Sequence, residues 1–159
     1  MPTDPIPDQH ASEQASPEVG ESIVAAGIRT NVHVAGPPDA PVVLLVHGSG
    51  PGVSAYANWR LTIPALAERF RVIAPDVIGF GFTDRPDDIS YGLDAWTAHL
   101  VGVLDALGVD RAHVIGNSMG SALALDLAVR HPQRVGRLVL MGAVGVPFPI
   151  TEGLDAVWG

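Results

Sequence analysis

Cysteine is absent from the 159 residues, which excludes disulfide staples and thiolate chemistry and suits a reducing compartment. Lysine is absent too: the nine basic residues are all arginine, against seventeen acids, for a formal net charge of −8. An acidic chain without a basic stripe is a poor partner for nucleic acid or for an anionic membrane. No apolar run approaches the ~18 residues of a transmembrane helix, and the N-terminus has neither a basic nor an apolar leader region, so a cytoplasmic protein is expected. What is present is 47% apolar residues and a mean hydropathy of +0.28, enough for one sizeable core and one domain or part of one.

Residues 1–20 hold Pro2, Pro5, Pro7 and Pro17 among acids and no arginine, and read as a disordered acidic tail. Two short strand-like pieces follow, 22–26 and 28–34, split by Gly27 and suited to an antiparallel start. Pro41 to Val46 is continuously apolar, the signature of a strand buried on both faces of a parallel sheet. It runs into His47-Gly48-Ser49-Gly50-Pro51-Gly52, a loop whose backbone N–H groups can point inward as an oxyanion loop. A helix is expected from Thr62 towards Phe70, a buried strand over 71–75, and a turn-rich connection over 76–86 with a carboxylate tethering it. Trp96, Leu100, Val103, Leu104 and Leu107 keep helical spacing and Gly108 supplies the stop. A further buried strand is expected over 135–141. Strands alternating with helices specify an α/β layered fold with a largely parallel sheet, in which ligands bind beyond the carboxyl ends of the strands. His47, Asp76 and Ser118 all fall at that end.

The stretch around Ser118 organises the rest. A short apolar run, 112–115, meets Gly116-Asn117-Ser118-Met119-Gly120 and then a helical pattern to Arg130 before Pro132. G-x-S-x-G between a buried strand and a helix is a nucleophile elbow. The serine sits on a strained turn, and the next residue's N–H faces the place where an oxyanion would form. In this fold the acid and the histidine follow the serine. Only Asp126, Glu152 and Asp155 are then available as acids and only His131 as base. His131 lies some thirteen residues along the outgoing helix, roughly 20 Å away at 1.5 Å per residue, and Asp126 fails likewise at about 12 Å. A loop-fixing hydrogen bond is expected of His47 rather than catalysis, and structural roles of His99 and His113. The six histidines show no zinc-ligand spacing, so neither metal nor cofactor is expected.

Several motifs together resemble the meta-cleavage product hydrolases, carbon–carbon bond hydrolases of the α/β-hydrolase fold, and among them those acting on 2-hydroxymuconic semialdehyde. They are the His47 to Gly52 loop, Ala57-Asn58-Trp59-Arg60, Pro75-Asp76 with Gly79-Phe80-Gly81, the elbow, and Phe148-Pro149-Ile150-Thr151-Glu152-Gly153-Leu154-Asp155. The resemblance implies Ser118 as catalytic serine and the N–H groups of Ser49 and Met119 as oxyanion hole. It places Asn58, Asn117, Gly48 and Gly50 beside a small-molecule dienoate substrate, although both asparagines suit loop-fixing hydrogen bonds equally well. The implied reaction ketonises a 2-hydroxy-6-oxohexa-2,4-dienoate and cleaves its C5–C6 bond with water. A carboxylesterase or lactonase of the same fold is the alternative. Ser121 stands where the family more often has a second glycine.

Family members continue through a lid and two more strands carrying the acid and histidine. The expectation is therefore an α/β-hydrolase fold truncated after about the sixth strand, with 21–147 as the N-terminal part of the core and 148–159 as the start of the lid. Either the chain is completed by further sequence or it is a non-catalytic remnant. Alone it is expected to be inactive, and to be homo-oligomeric or aggregation-prone through an open strand at 137–141.

Overall fold

The computed structural model describes residues 16–142. The Phe148 to Asp155 motif, Glu152, Asp155 and residues 1–15 lie outside the described residues. A six-stranded sheet carries helices on both faces. It begins with the expected hairpin, β1 (Glu21–Ala25) and β2 (Ile28–Ala35), joined by Ala26 and Gly27, both at positive φ, as a two-residue hairpin turn requires. Then come β3 (Val42–Val46), α1 (Ala55–Trp59), α2 (Thr62–Ala67), β4 (Arg71–Pro75), α3 (Leu93–Ala106), β5 (Ala112–Asn117), α4 (Met119–Arg130) and β6 (Val135–Met141). The strand order is β1-β2-β4-β3-β5-β6, with β3, β4, β5 and β6 parallel and the hairpin antiparallel at one edge.

Strand β3 is central and apolar throughout because both its faces are covered. Its residues alternate between two cores. Val43 and Leu45 pack with Ala55 and Trp59 on the α1/α2 face, and Leu44 and Val46 with Leu100, Leu104, Leu123 and Leu127 on the α3/α4 face.

Three elements go beyond or depart from the sequence pattern. Helix α1 leaves no trace in it: five residues are too few for a periodic signal, and its start is fixed by Ser54, whose Oγ accepts from the Ala57 N–H at 3.0 Å. Helix α2 stops at Ala67, short of Phe70. Strand β6 is not buried along its length, and the open strand expected at 137–141 is seen: among the described residues it forms the sheet's outer edge, with Val139, Leu140 and Met141 exposed by 48%, 36% and 46%. Of the segment expected to be a tail, Ser16 to Gly20 is described, and Asn31 binds it at both ends: its Nδ2 donates to the Glu18 carbonyl at 3.0 Å and its Oδ1 accepts from the Gly20 N–H at 2.7 Å.

Candidate active site

Strands β3, β4 and β5 end side by side and deliver His47, Asp76 and Ser118 into adjoining loops. Ser118 has φ 53° and ψ −120°, a conformation that costs a non-glycine residue about 1–3 kcal/mol and persists only when its surroundings over-determine it. They do. Its N–H donates to the Met141 carbonyl and its C=O accepts from the Ser121 N–H, both at 2.8 Å. The buried Ser121 hydroxyl accepts from the Met141 N–H at 3.1 Å and donates to the Gly116 carbonyl at 2.8 Å. The departure to serine at this position thus ties elbow, helix and β6 together.

Glycines make the turn possible by close approach. A Cβ on Gly116 would overlap the Gly120 carbonyl, and one on Gly120 would overlap the carbonyl of Val46 on β3. As first residue of α4, Met119 has no carbonyl one turn earlier to receive its N–H.

Opposite the elbow, Gly48 abuts Ser118, since a Cβ on Gly48 would lie 3.2 Å from the Ser118 Cβ. The Gly48 N–H donates to Asn58 Oδ1 at 3.0 Å, and the same oxygen accepts from Asn117 Nδ2 at 3.0 Å. One amide oxygen therefore fastens the loop, α1 and the elbow. Of the two readings open for the asparagines, loop fixing is the one seen in these contacts.

Asp76 is fully buried. Its carboxylate accepts from the Ala55 N–H at 2.5 Å, from Asn31 Nδ2 at 2.9 Å and from the Phe82 N–H at 2.8 Å. The expected carboxylate tether is this residue, satisfied by N–H donors in place of a cation.

Two buried histidines grip consecutive amides of the following segment. His47 Nε2 accepts from the Val77 N–H at 2.9 Å while Nδ1 lies 2.6 Å from the Gly48 carbonyl, which assigns the ring proton to Nδ1. His99 Nδ1 accepts from the Ile78 N–H at 3.3 Å, and its Nε2–H donates at 2.8 Å to Thr30 Oγ1, which itself donates to Ile28 O. The indole N–H of Trp96 donates to the Ile78 carbonyl at 3.2 Å. Burial pushes His99 down to about 4, with His47 adding a smaller push in the same direction. Burial also lowers His47, against the opposing bond to Gly48 and the nearby Asp76. Both rings are neutral and both nitrogens of each are committed, so neither is a free base for Ser118. The grip of His99 on a residue 69 positions away carries no sequence signal.

The two partners excluded on distance are occupied elsewhere. Asp126 accepts from Thr97 Oγ1 at 2.6 Å and pairs with Arg130, and His131 ends α4. Among the described residues no group of His, Asp and Glu has the arrangement of a metal site. No helix there is long and apolar enough to cross a membrane. A cavity of about 380 Å³ lies against the loop, walled by Gly50, Val53, Ser54, Phe80, Phe82 and Arg85. Ser118 stands outside it, so the cavity does not by itself mark the reacting centre.

Comparison with known proteins gives a consistent picture. A family model described as "alpha/beta hydrolase fold" matches residues 41–158. The chain is 61% identical to a 2-hydroxymuconate semialdehyde hydrolase of Pseudomonas sp. strain CF600, over 92% of this chain and 51% of that protein. It is also 61% identical to a 2-hydroxy-6-oxo-2,4-heptadienoate hydrolase of Pseudomonas putida F1, over 89% of this chain and 51% of the relative. A crystal structure of a mutant of the meta-cleavage product hydrolase CumD superposes with a TM-score of 0.82 at 59% identity, covering 89% of this chain and 52% of that one. The chain thus spans about half the length of the curated relatives it matches.

Proposed function

The chain belongs to the α/β-hydrolase fold family, and from that premise we propose that Ser118 is the nucleophilic centre of a carbon–carbon bond hydrolase acting on a 2-hydroxy-6-oxohexa-2,4-dienoate. The observation that carries this is the elbow itself, a serine held at φ 53° between Met119 and the Gly48 loop. The relatives named above support the choice of dienoate. Ser49 and Met119 supply the two N–H groups of the oxyanion hole, and Gly48, Gly50, Asn58 and Asn117 line the dienoate end.

In the reaction, the dienol ketonises by losing its 2-hydroxyl proton and taking one at C5. Attack on the C6 carbonyl, by water directly or by Ser118 Oγ with water then hydrolysing the acyl-serine, places negative charge on its oxygen, where the two N–H groups stabilise it. Collapse breaks the C5–C6 bond and leaves its electron pair on the dienolate, which is protonated to a 2-hydroxypentadienoate, while the C6 fragment leaves as a carboxylic acid carrying the oxygen of the water. No described residue is assigned as the proton acceptor for Ser118. The protein is proposed to be cytoplasmic, and the 159-residue chain alone to be homo-oligomeric or aggregation-prone through the exposed apolar edge of β6.

The test is turnover of yellow 2-hydroxymuconic semialdehyde, followed by its loss of absorbance, in the protein carrying its full coding sequence. Ser118→Ala is expected to fold normally and to lower turnover by about 10⁴-fold or more. Retention of a tenth of the activity removes Ser118 from the mechanism. Turnover of p-nitrophenyl esters with none of the dienoate would favour the esterase or lactonase alternative.

A further inference from the structure

Gly48 is pinned through two successive peptide units. The unit before it, through the Gly48 N–H, is bonded to Asn58 Oδ1 at 3.0 Å. The unit after it, through the Gly48 carbonyl, receives Nδ1–H of His47 at 2.6 Å. That second unit also contains the Ser49 N–H. A peptide group is planar, and in its trans form C=O and N–H point in opposite directions; the described residues contain no cis bond. Holding the Gly48 carbonyl against a fully buried ring therefore aims the Ser49 N–H away from that ring, in the loop whose Gly48 abuts Ser118.

The ring that does this is itself held. Its Nε2 accepts from the Val77 N–H at 2.9 Å, and Phe80 packs edge-on against it with ring centroids 5.5 Å apart. His47 can neither rotate nor exchange its two nitrogens without leaving an unpaired N–H, a loss of about 1–3 kcal/mol.

We infer that His47 is a positioning residue that sets the direction of the Ser49 oxyanion donor through the Gly48–Ser49 peptide, acting only with its proton on Nδ1. This rests on the role proposed above for Ser49. It separates two functions within one side chain: the Nδ1 side aims the donor, and the Nε2 side anchors the ring to the β4 loop.

Two substitutions divide those sides. His47→Asn places an amide N–H₂ near the position of Nδ1 and loses the acceptor for Val77. His47→Gln places an amide oxygen near the position of Nε2 and loses the donor to Gly48. In the protein carrying its full coding sequence, the residual dipolar coupling of the Ser49 N–H reports its direction without any turnover. It is expected to change in His47→Gln and to stay near the wild-type value in His47→Asn, although each variant loses one buried hydrogen bond and melts lower. In the catalytically complete protein, His47→Gln is expected to lose kcat by about tenfold or more at nearly constant KM, a fraction of what removal of a whole donor costs. His47→Asn is expected to recover most of that loss.

Equal kcat losses in both variants, or an unchanged Ser49 coupling in His47→Gln, overturn the inference. So does a wild-type ring whose nitrogen shifts place the proton on Nε2, a measurement that needs no variant. Absence of dienoate turnover in the wild type alongside the predicted dipolar couplings would count against the proposed function and leave the peptide orientation standing.

Discussion

The elbow after β5 and the long connection after β4 solve the same problem by opposite means. Both are irregular backbone packed under neighbouring elements, where every N–H and C=O needs a partner. The elbow solves it by removing side chains, so that Gly116 and Gly120 let β5, α4 and β3 touch through their backbones. The β4 connection solves it by adding polar side chains: Asp76, Thr83, His47, His99 and Trp96 each bond a main-chain group of that segment. A loop built on close approach fails when something is added, and a loop built on side-chain bonds fails when something is taken away.

The sharpest break is Gly120→Ala. The added methyl meets the Val46 and His47 carbonyls, which a central strand cannot move, so a loss of more than about 3 kcal/mol is expected from the urea midpoint. Next is Asp76→Ala, which strands two backbone N–H groups and the Asn31 amide and is expected to cost about 3 kcal/mol, with Asp76→Asn recovering part of it. A wild-type result from either would erase the distinction between the two loops.

Acid tests the second loop alone. His99 is held near 4 when folded and returns to its ordinary value of 6.5 when unfolded, so between these the unfolded chain binds the extra proton. Stability is therefore full above pH 6.5 and falls as pH drops towards 4. The loss is up to roughly 3 kcal/mol from His99, with His47 beside Asp76 adding in the same direction. His99→Gln should flatten that part of the stability profile. The smallest effect expected is Ser118→Gly, which relieves a positive φ and gains about 1 kcal/mol while abolishing activity, measured as a rise in urea midpoint.

The same contrast explains what the sequence shows. Close approach is written locally, as glycines at fixed offsets from a serine, so the elbow, its strand and its helix are all legible. Strands β4 and β6 are legible to the residue because an apolar run and flanking turn residues bound them. The apolar run alone does not tell an inner strand from an edge, and the open edge expected at 137–141 comes from the resemblance's strand order. The polar wiring is hidden for another reason: Thr30 with His99 and Asn31 with Asp76 lie 69 and 45 residues apart, and nothing in either neighbourhood marks the partner. A carboxylate tether could be anticipated at Asp76, but not which N–H groups it would hold. The helix carrying Asn58 escapes notice because a polar cap, not periodicity, starts it.

Trp59 turns this architecture into an optical instrument. Its indole is 2% exposed, and its N–H is the one buried side-chain donor or acceptor without a partner among the described residues. An excited indole whose surroundings cannot reorient emits at short wavelength, so Trp59 should give a blue emission from the α1/α2 face. Trp96, bonded to Ile78 on the opposite face, should emit further to the red. With Trp158→Phe removing the third fluorophore, the two bands would report separately on the two sides of the sheet. Partial opening of the β4 connection would then shift one band and leave the other in place.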